Sequence, residues 1–404
     1  MGLAVPGAVV RRTAAGARPL IVAGGGLRPE PVPGSAARIR DGTVLSGTEH
    51  RITPLPTTWS AGLPGLSLAV YEPASGWIRD LILEEKAHCQ ERALVDRVEV
   101  QPDQLGIMDR NFGLGALVFR IARQGASLLV RWHRSTLPLT PVGRLRARGR
   151  WATGEVFEQP IEVADGAGGV HRPRRIVRKL DQPTREGETA IVLVTNRPAD
   201  VTALLCGDTS KGRWQIEGHD QALTDRLHGE VPTLGYPRAA LFACSMSAVA
   251  GHAVAVLKGN LRVAQGAEVA AEVSDCALVD EVAEVYPGMM MAVPPSRWPD
   301  WSRSRATTVS KLRNELAARV PVHRRFRCRR GPKKPRPRRS SGRRIHHVSN
   351  KKLLDRMRGA RAPARRGQNP HDLKNLSKLP LYVHGGGLPT LPLTVANQTS
   401  WPEP

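Results

Sequence analysis

Three carboxylates stand in settings that could do chemistry together: Asp41 in RIRDGTVL, Asp109 in LGIMDRNF and Glu217 in GRWQIEGHDQAL. Each aspartate follows a short β-branched or apolar run, which places it at the C-terminal end of a strand. The glutamate lies in a helical pattern with Arg213 one turn before it and Asp220 at i+7 from that arginine. Strand-end aspartates on neighbouring strands can share a cation with a helical glutamate, and such a site acts on phosphates. Taken singly, each residue has an ordinary explanation. Asp41 before Gly42 could begin a turn, Asp109 could cap a helix, and Glu217 could be an i, i+4 partner of Arg213.

The elements that must position these residues are legible around them. Ala37 to Arg40 reads as a short strand into Asp41, and Leu66 to Tyr71 and Trp77 to Leu83 read as two more, joined through the turn-like EPASG. Helical spacing follows over Glu91 to Val98, then a fourth strand over Leu105 to Met108 ending at Asp109. A helix over Gly115 to Arg123, stopped by Gly125, precedes a strand over Ser127 to Trp132. The order β-β-β-α-β-α-β is that of a ribonuclease H-like core, an α/β fold with a mixed sheet flanked by helices. If the first and fourth strands lie side by side, Asp41 and Asp109 would be neighbours.

Strand patterns dominate from Pro138 to about Cys206, for instance Glu155 to Val163, Arg174 to Leu180 and Ala190 to Thr195, and are read as a β-rich insertion. A helix is expected over Thr209 to Leu227, carrying Glu217. Pro237 opens a long apolar helix, and Ala264 to Val322 reads as mixed helix. The first 35 residues, rich in Gly, Pro, Ala and Arg, are read as an irregular lead-in. Gly24 to Gly26 lacks the Lys-Ser/Thr pair of a phosphate loop. The expected organisation is therefore a lead-in over 1–35, the first part of the core over 36–137 and the insertion over 138–206. A helical completion over 207–322, a basic tail over 323–366 and a disordered tail over 367–404 follow.

The chain has 404 residues, 41% of them hydrophobic, enough for a sizeable core. Its net charge of +24 favours a polyanionic partner, because each neutralised phosphate releases counterions. The excess is concentrated: His323 to Arg366 holds 19 Lys and Arg against the single acid Asp355, leaving about +6 to all other residues. Lys333, Lys334, Arg343 and Arg344 lie in that tail, where Pro332, Pro335 and Pro337 favour an extended segment able to bind phosphates without reading sequence. Five scattered cysteines without a C-x-x-C spacing argue against a disulfide framework or zinc ribbon, and His346-His347 with Cys328 fits no zinc spacing. The uncharged run Ala239 to Leu257 has few large aliphatics and fits a buried helix better than a membrane span. No signal-peptide pattern opens the chain, so a cytoplasmic, reducing compartment is expected.

At this point the motifs carry a resemblance. IRDGTVLSGTEHRI, LPGLSLAVYEP, AHCQERALVD, IMDRNFG, TGEVFEQP, VLVTNRP, GRWQIEG and LHGEVPTLGYPRAALF are similar, in order and spacing, to bacterial insertion-sequence transposases of the DDE class, the insertion-sequence-four type. The similarity runs from about Arg38 to Leu354. It implies a ribonuclease H-like catalytic domain interrupted by a β-rich insertion, with Asp41, Asp109 and Glu217 as its metal-binding catalytic triad. It also implies two Mg²⁺ or Mn²⁺ ions roughly 3.5–4 Å apart that activate a water or 3′-hydroxyl and stabilise the leaving oxygen. Arg213 matches the family's arginine and would fix a phosphate oxygen. Lys211 and Arg110, beside these motifs, are expected to contact DNA with the tail residues. The implied partners are double-stranded DNA at element ends and target, and a second copy in a synaptic homodimer, in the bacterial nucleoid, with no membrane.

The chain also departs from the family. Ser210 stands where a tyrosine is common, Thr224 where many relatives carry a lysine, and Gly218-His219-Asp220 replaces an apolar continuation; His219 is expected at the solvent or in a groove. Only 40 residues precede Asp41, where the family has a substantial helical region, so an N-terminally truncated or frame-disrupted copy is expected. That leaves an alternative function, an inactive remnant that retains only non-specific DNA binding. An RNA-binding basic protein would explain the tail but not the three carboxylate motifs. Trp151, at the start of the β-rich stretch, is expected either to stack on an unpaired base or, more simply, to be buried.

Overall fold

A computed structural model describes residues 4–45, 66–84, 91–164, 168–184, 187–231, 237–300 and 303–325. By its contacts the chain forms two units, 1–353 and 354–404, and all described residues belong to the first. The tail residues Lys333, Lys334, Arg343 and Arg344 lie outside the described residues.

The centre is a mixed sheet. Strands β1 (Ala36–Val44), β2 (Leu66–Glu72) and β3 (Trp77–Glu84) form an antiparallel meander, and β4 (Gln104–Met108) and β5 (Ser127–Arg131) add in parallel beside β1. The resulting order, β3-β2-β1-β4-β5, is consistent with the ribonuclease H-like core expected from the sequence. Strand side chains alternate between faces. Leu66, Leu68 and Val70 therefore join one core with Leu128 and Val130, while Ala69 and Tyr71 join the other with Ile39, Ile107 and Leu129. Both faces must be covered, as is usual for sheets with parallel strands. Helix α2 (Glu91–Leu94) and α3 (Gly115–Arg123) cover the first, with Leu94, Leu117, Val118, Phe119 and Ile121 buried. The second face is covered by α1 (Ala4–Ala23), α4 (Ala203–Lys211), α5 (Trp214–Asp225) and α6 (Pro237–Gln265).

The strands read between 138 and 206 are present as β6 (Thr140–Pro141), β7 (Arg146–Trp151), β8 (Gly154–Ala164), β9 (Val170–His171), β10 (Arg174–Leu180) and β11 (Ala190–Thr195). They extend the core sheet itself: β11 pairs antiparallel with β5, and β10 and β8 follow. The boundary expected at 206 falls inside α4.

Two expectations are corrected. The N-terminal stretch is not an irregular lead-in: α1 spans 20 residues and packs on α6 and β3, burying Val10, Ala14 and Ile21. Their spacing of four and seven residues marks one helical face, and the tertiary contacts of that face outweigh a composition rich in Gly and Pro, including Pro19 within the helix. The helix expected over Thr209 to Leu227 is instead two, α4 and α5, broken at Gly212 and Arg213. Glycine costs roughly 1 kcal/mol in a helix interior, and here the Gly212 amide turns back to the Asp208 and Thr209 carbonyls. Thr202 caps α4 by accepting from the Leu205 amide.

Helix α6, 29 residues long, is long and apolar enough to cross a membrane by length and composition, yet 56% of its most apolar window is buried inside the protein. It carries the buried polar side chains Ser245, Ser247, His252, Lys258 and Asn260. Three further helices, α7 (Ala267–Glu272), α8 (Asp275–Ala292) and α9 (Ala306–Ala317), follow it.

Candidate functional site

The parallel ladder between β1 and β4 ends at the pair Arg40 and Met108, so Asp41 and Asp109 are each the next residue on adjacent strands. This is the juxtaposition their motifs require. Asp41 does not end its strand, however: β1 continues to Val44 along β2, with Asp41 opposite Ala69. Asp109 does cap a short 3₁₀ turn over Arg110–Phe112, its Oδ1 accepting from the Asn111 amide at 2.7 Å. The capping role and a place in the site are therefore compatible.

Helix α5 brings the third carboxylate. Ile216 and Leu223 anchor it in the core beneath the sheet, and the break at Gly212 lets Arg213 turn toward Asp41 at its start. Arg213 Nη1 donates to Asp41 Oδ2 at 2.8 Å and its Nη2 donates to Glu217 Oε1 at 2.8 Å. One guanidinium thus bridges two of the three carboxylates. Burial pushes the Asp41 carboxyl up to about 6; Arg213 opposes this, and the charges of Asp109 and Glu217 add to it.

Two more carboxylates belong to the same cluster. Glu91, at the start of α2, lies over Gly42; a Cβ at that glycine would come within 2.3 Å of Glu91 Cγ. Burial, together with the charges of Asp109 and Asp41, raises its carboxyl to about 7, while a hydrogen bond from the Asn111 side chain holds it down. Asp220, one turn after Glu217, accepts from the Thr43 hydroxyl at 2.9 Å and is pushed up to about 7, chiefly by burial. Sequence reasoning placed Asp220 near Glu217 but missed Glu91, which looked like an ordinary first-turn acid of a helix. The one local signal was Gly42, the only residue type that leaves room for it.

Carboxylate oxygens are the donors that hard divalent ions prefer. Among the described residues, no group of three or more His, Cys, Asp or Glu is gathered closely enough to hold a metal. In this arrangement Arg213 supplies the counter-charge between Asp41 and Glu217.

The expected DNA-contacting residues separate. Lys211 Nζ lies 3.7 Å from the Trp151 ring centre, with Arg178 on the same ring at 4.4 Å, so the indole is half-buried between two cations. Arg110 is turned instead to Glu188, at 3.5 Å. His219 is a groove residue rather than a solvent one: it lines the cleft beside α5 and is buried against Tyr71, ring centres 5.3 Å apart, and burial lowers it to about 4, so it is neutral. His219 shares the inward face of α5 with the buried Ile216, Ala222 and Leu223. The described cysteines Cys206, Cys244 and Cys276 are free, and burial raises Cys244 to about 12, which leaves it inert.

No protein-family profile matches the chain, and no curated protein matches it. Among solved structures it is similar to piggyBac transposase in a synaptic complex with hairpin DNA, at 9% identity and a TM-score of 0.35. The match covers 85% of this chain and 61% of that one, so the chain spans less than two thirds of the length of the protein it matches.

Proposed function

We propose that the chain is a DDE-type DNA transposase of the insertion-sequence-four type, which binds double-stranded DNA at element ends and target and cuts and joins strands by phosphoryl transfer. The observation that carries this reading is the meeting of Asp41 and Asp109 beyond the last parallel pair of β1 and β4, with Glu217 tied to Asp41 through Arg213. The ordered sequence motifs and the net charge of +24 support the same reading.

To hold two Mg²⁺ or Mn²⁺ ions, Asp41, Asp109 and Glu217 would have to release the Arg213 bridge and draw closer together than they stand here. Ions held there would supply activation of a water or 3′-hydroxyl and charge stabilisation of a leaving oxygen. Arg213 orients two of the carboxylates and offers a fixed charge to a phosphate oxygen. Glu91, beside Asp109 and Asp41, adds a further carboxylate to the site. A synaptic homodimer in the nucleoid of a bacterial cell completes the proposal.

The test is nicking of supercoiled plasmid DNA by the purified full chain in Mg²⁺ or Mn²⁺. The native chain is expected to nick, and Asp109→Ala to lose at least a hundredfold in rate. Nicking that persists in the variant overturns the assignment. The second reading, a remnant that binds DNA without cutting it, is favoured by the arginine bridge, which already neutralises part of the cluster. It predicts DNA binding with no nicking by either protein.

A further inference from the structure

A cleft of about 1220 Å³ opens beside Glu217, between α5 and the helices α6 and α8. Small-molecule pockets span roughly 300–1,000 Å³, so this one suits a polymer segment. Its walls carry five cations, Arg28, Lys211, Arg226, Lys258 and Arg262, against the acids Glu217, Asp275 and Asp280. All three acids are already engaged: Arg226 pairs with Asp280 at 3.3 Å, Lys258 with Asp275 at 2.5 Å, and Glu217 with Arg213.

Arg28 and Arg262 have a different character. Among the described residues Arg28 donates to neutral partners, Gln215 Oε1 at 3.1 Å and the Tyr71 hydroxyl, and Arg262 donates to the Gly26 carbonyl. The two are close enough for each charge to oppose the other, and burial with that repulsion brings Arg262 down to about 10. The juxtaposition is built into the fold. The turn after α1 closes on α6 where Gly26 meets Gly259, a contact in which an added Cβ would lie 2.9 Å from the Gly259 Cα. The Arg28 amide is then fixed by the Ala74 carbonyl at 2.8 Å. Two half-buried like charges held together without an acid are costly unless an outside anion neutralises them. Trp214, 59% exposed at the rim, adds an open aromatic face on which a base can stack.

We propose that this cleft carries a DNA strand toward the carboxylates, with backbone phosphates held between Arg28 and Arg262 and beside Lys211. The proposal rests on the proposed function for the choice of polyanion; the anion-binding pair itself rests on the cleft alone.

The experiment is fluorescence anisotropy of the full chain with a labelled duplex bearing a single-stranded extension, titrated across salt concentrations. Each phosphate contact contributes about 0.7 to 0.9 to the slope of log K against log salt. Arg28→Gln with Arg262→Gln is expected to reduce the slope by about 1.4 to 1.8 and to weaken binding at least tenfold, while the double lysine variant keeps most of both. Gln215→Glu is nearly isosteric and places a carboxylate on Arg28; it should reduce the slope by about 0.7 to 0.9 without removing a side chain, and it decides the matter if the double glutamine variant fails to fold. Slopes equal to the native chain's overturn the proposal. A protein that never nicks DNA but shows these slope losses keeps the cleft and overturns the proposed chemistry. One that nicks normally with unchanged slopes does the reverse.

Discussion

Arg213 sets the state of the carboxylates around it, because its two N–H groups serve Asp41 and Glu217 at once. Removing the charge while keeping the shape, as in Arg213→Gln, should raise the Asp41 carboxyl above about 6, since Arg213 is what opposes its burial. Carboxyl carbon NMR across a pH titration checks this; an unchanged or lower midpoint refutes it. Asp220 makes a prediction about stability. Its folded value of about 7 lies above the ordinary carboxylate range, so between about pH 4 and pH 7 the unfolded chain loses its proton while the folded chain keeps it. Stability therefore falls as pH rises through that window and levels off above it, by roughly 2–4 kcal/mol for this group. Glu91 and Asp41, also raised, act in the same direction. Asp220→Asn, which keeps an acceptor for Thr43, should flatten the profile and raise the melting temperature at pH 8. A melting temperature at pH 8 equal to the native protein's would count against the buried-acid account.

At the scale of elements, sequence reasoning succeeded where a period and its stop signals coincide. The β-branched and apolar runs within 174–180 and 190–195 lie between flanking turn residues, and β10 and β11 occupy those spans; Gly125, at φ 71°, ends α3 where the pattern stops. It failed where long-range packing decides. Helix α1 was obscured by Gly and Pro, although Val10, Ala14 and Ile21 already shared a face. Ile21→Ala should cost about 2–4 kcal/mol, because Ile21 is 1% exposed and packs in a cluster with Trp77 and Val256; urea unfolding of the full chain measures it, and a loss below about 0.5 kcal/mol would mean α1 does not dock. The adjacency of Asp41 and Asp109 was legible because connection rules limit the strand order, whereas the continuation of β1 past Asp41 to Val44 was not. Glu91 was not, because its place above Gly42 depends on how α2 crosses the sheet. Gly42→Ala puts a methyl into that contact and should displace Glu91, lowering its titration midpoint from about 7 toward the ordinary range.

For the whole molecule, the distribution of charge matters more than its total. About three quarters of the net +24 lies between His323 and Arg366, beyond most of the described residues, while Arg28, Lys211 and Arg262 provide a separate cationic lining beside the carboxylates. On the proposed function, the tail would raise affinity for any duplex and the cleft would orient what is held, so affinity and placement would respond to different substitutions. The continuity of the sheet has a further consequence. Strand β11 is hydrogen-bonded to β5, β5 to β4, and β4 to β1, so the strands bearing the two aspartates share one ladder with those that carry Trp151. Such a ladder opens as a cooperative unit. The amides of Ile39, Ile107, Val130 and Leu193 should then exchange with deuterium at a common rate set by a single opening event, and a contact made at the far strands would slow exchange beside Asp41 without touching it.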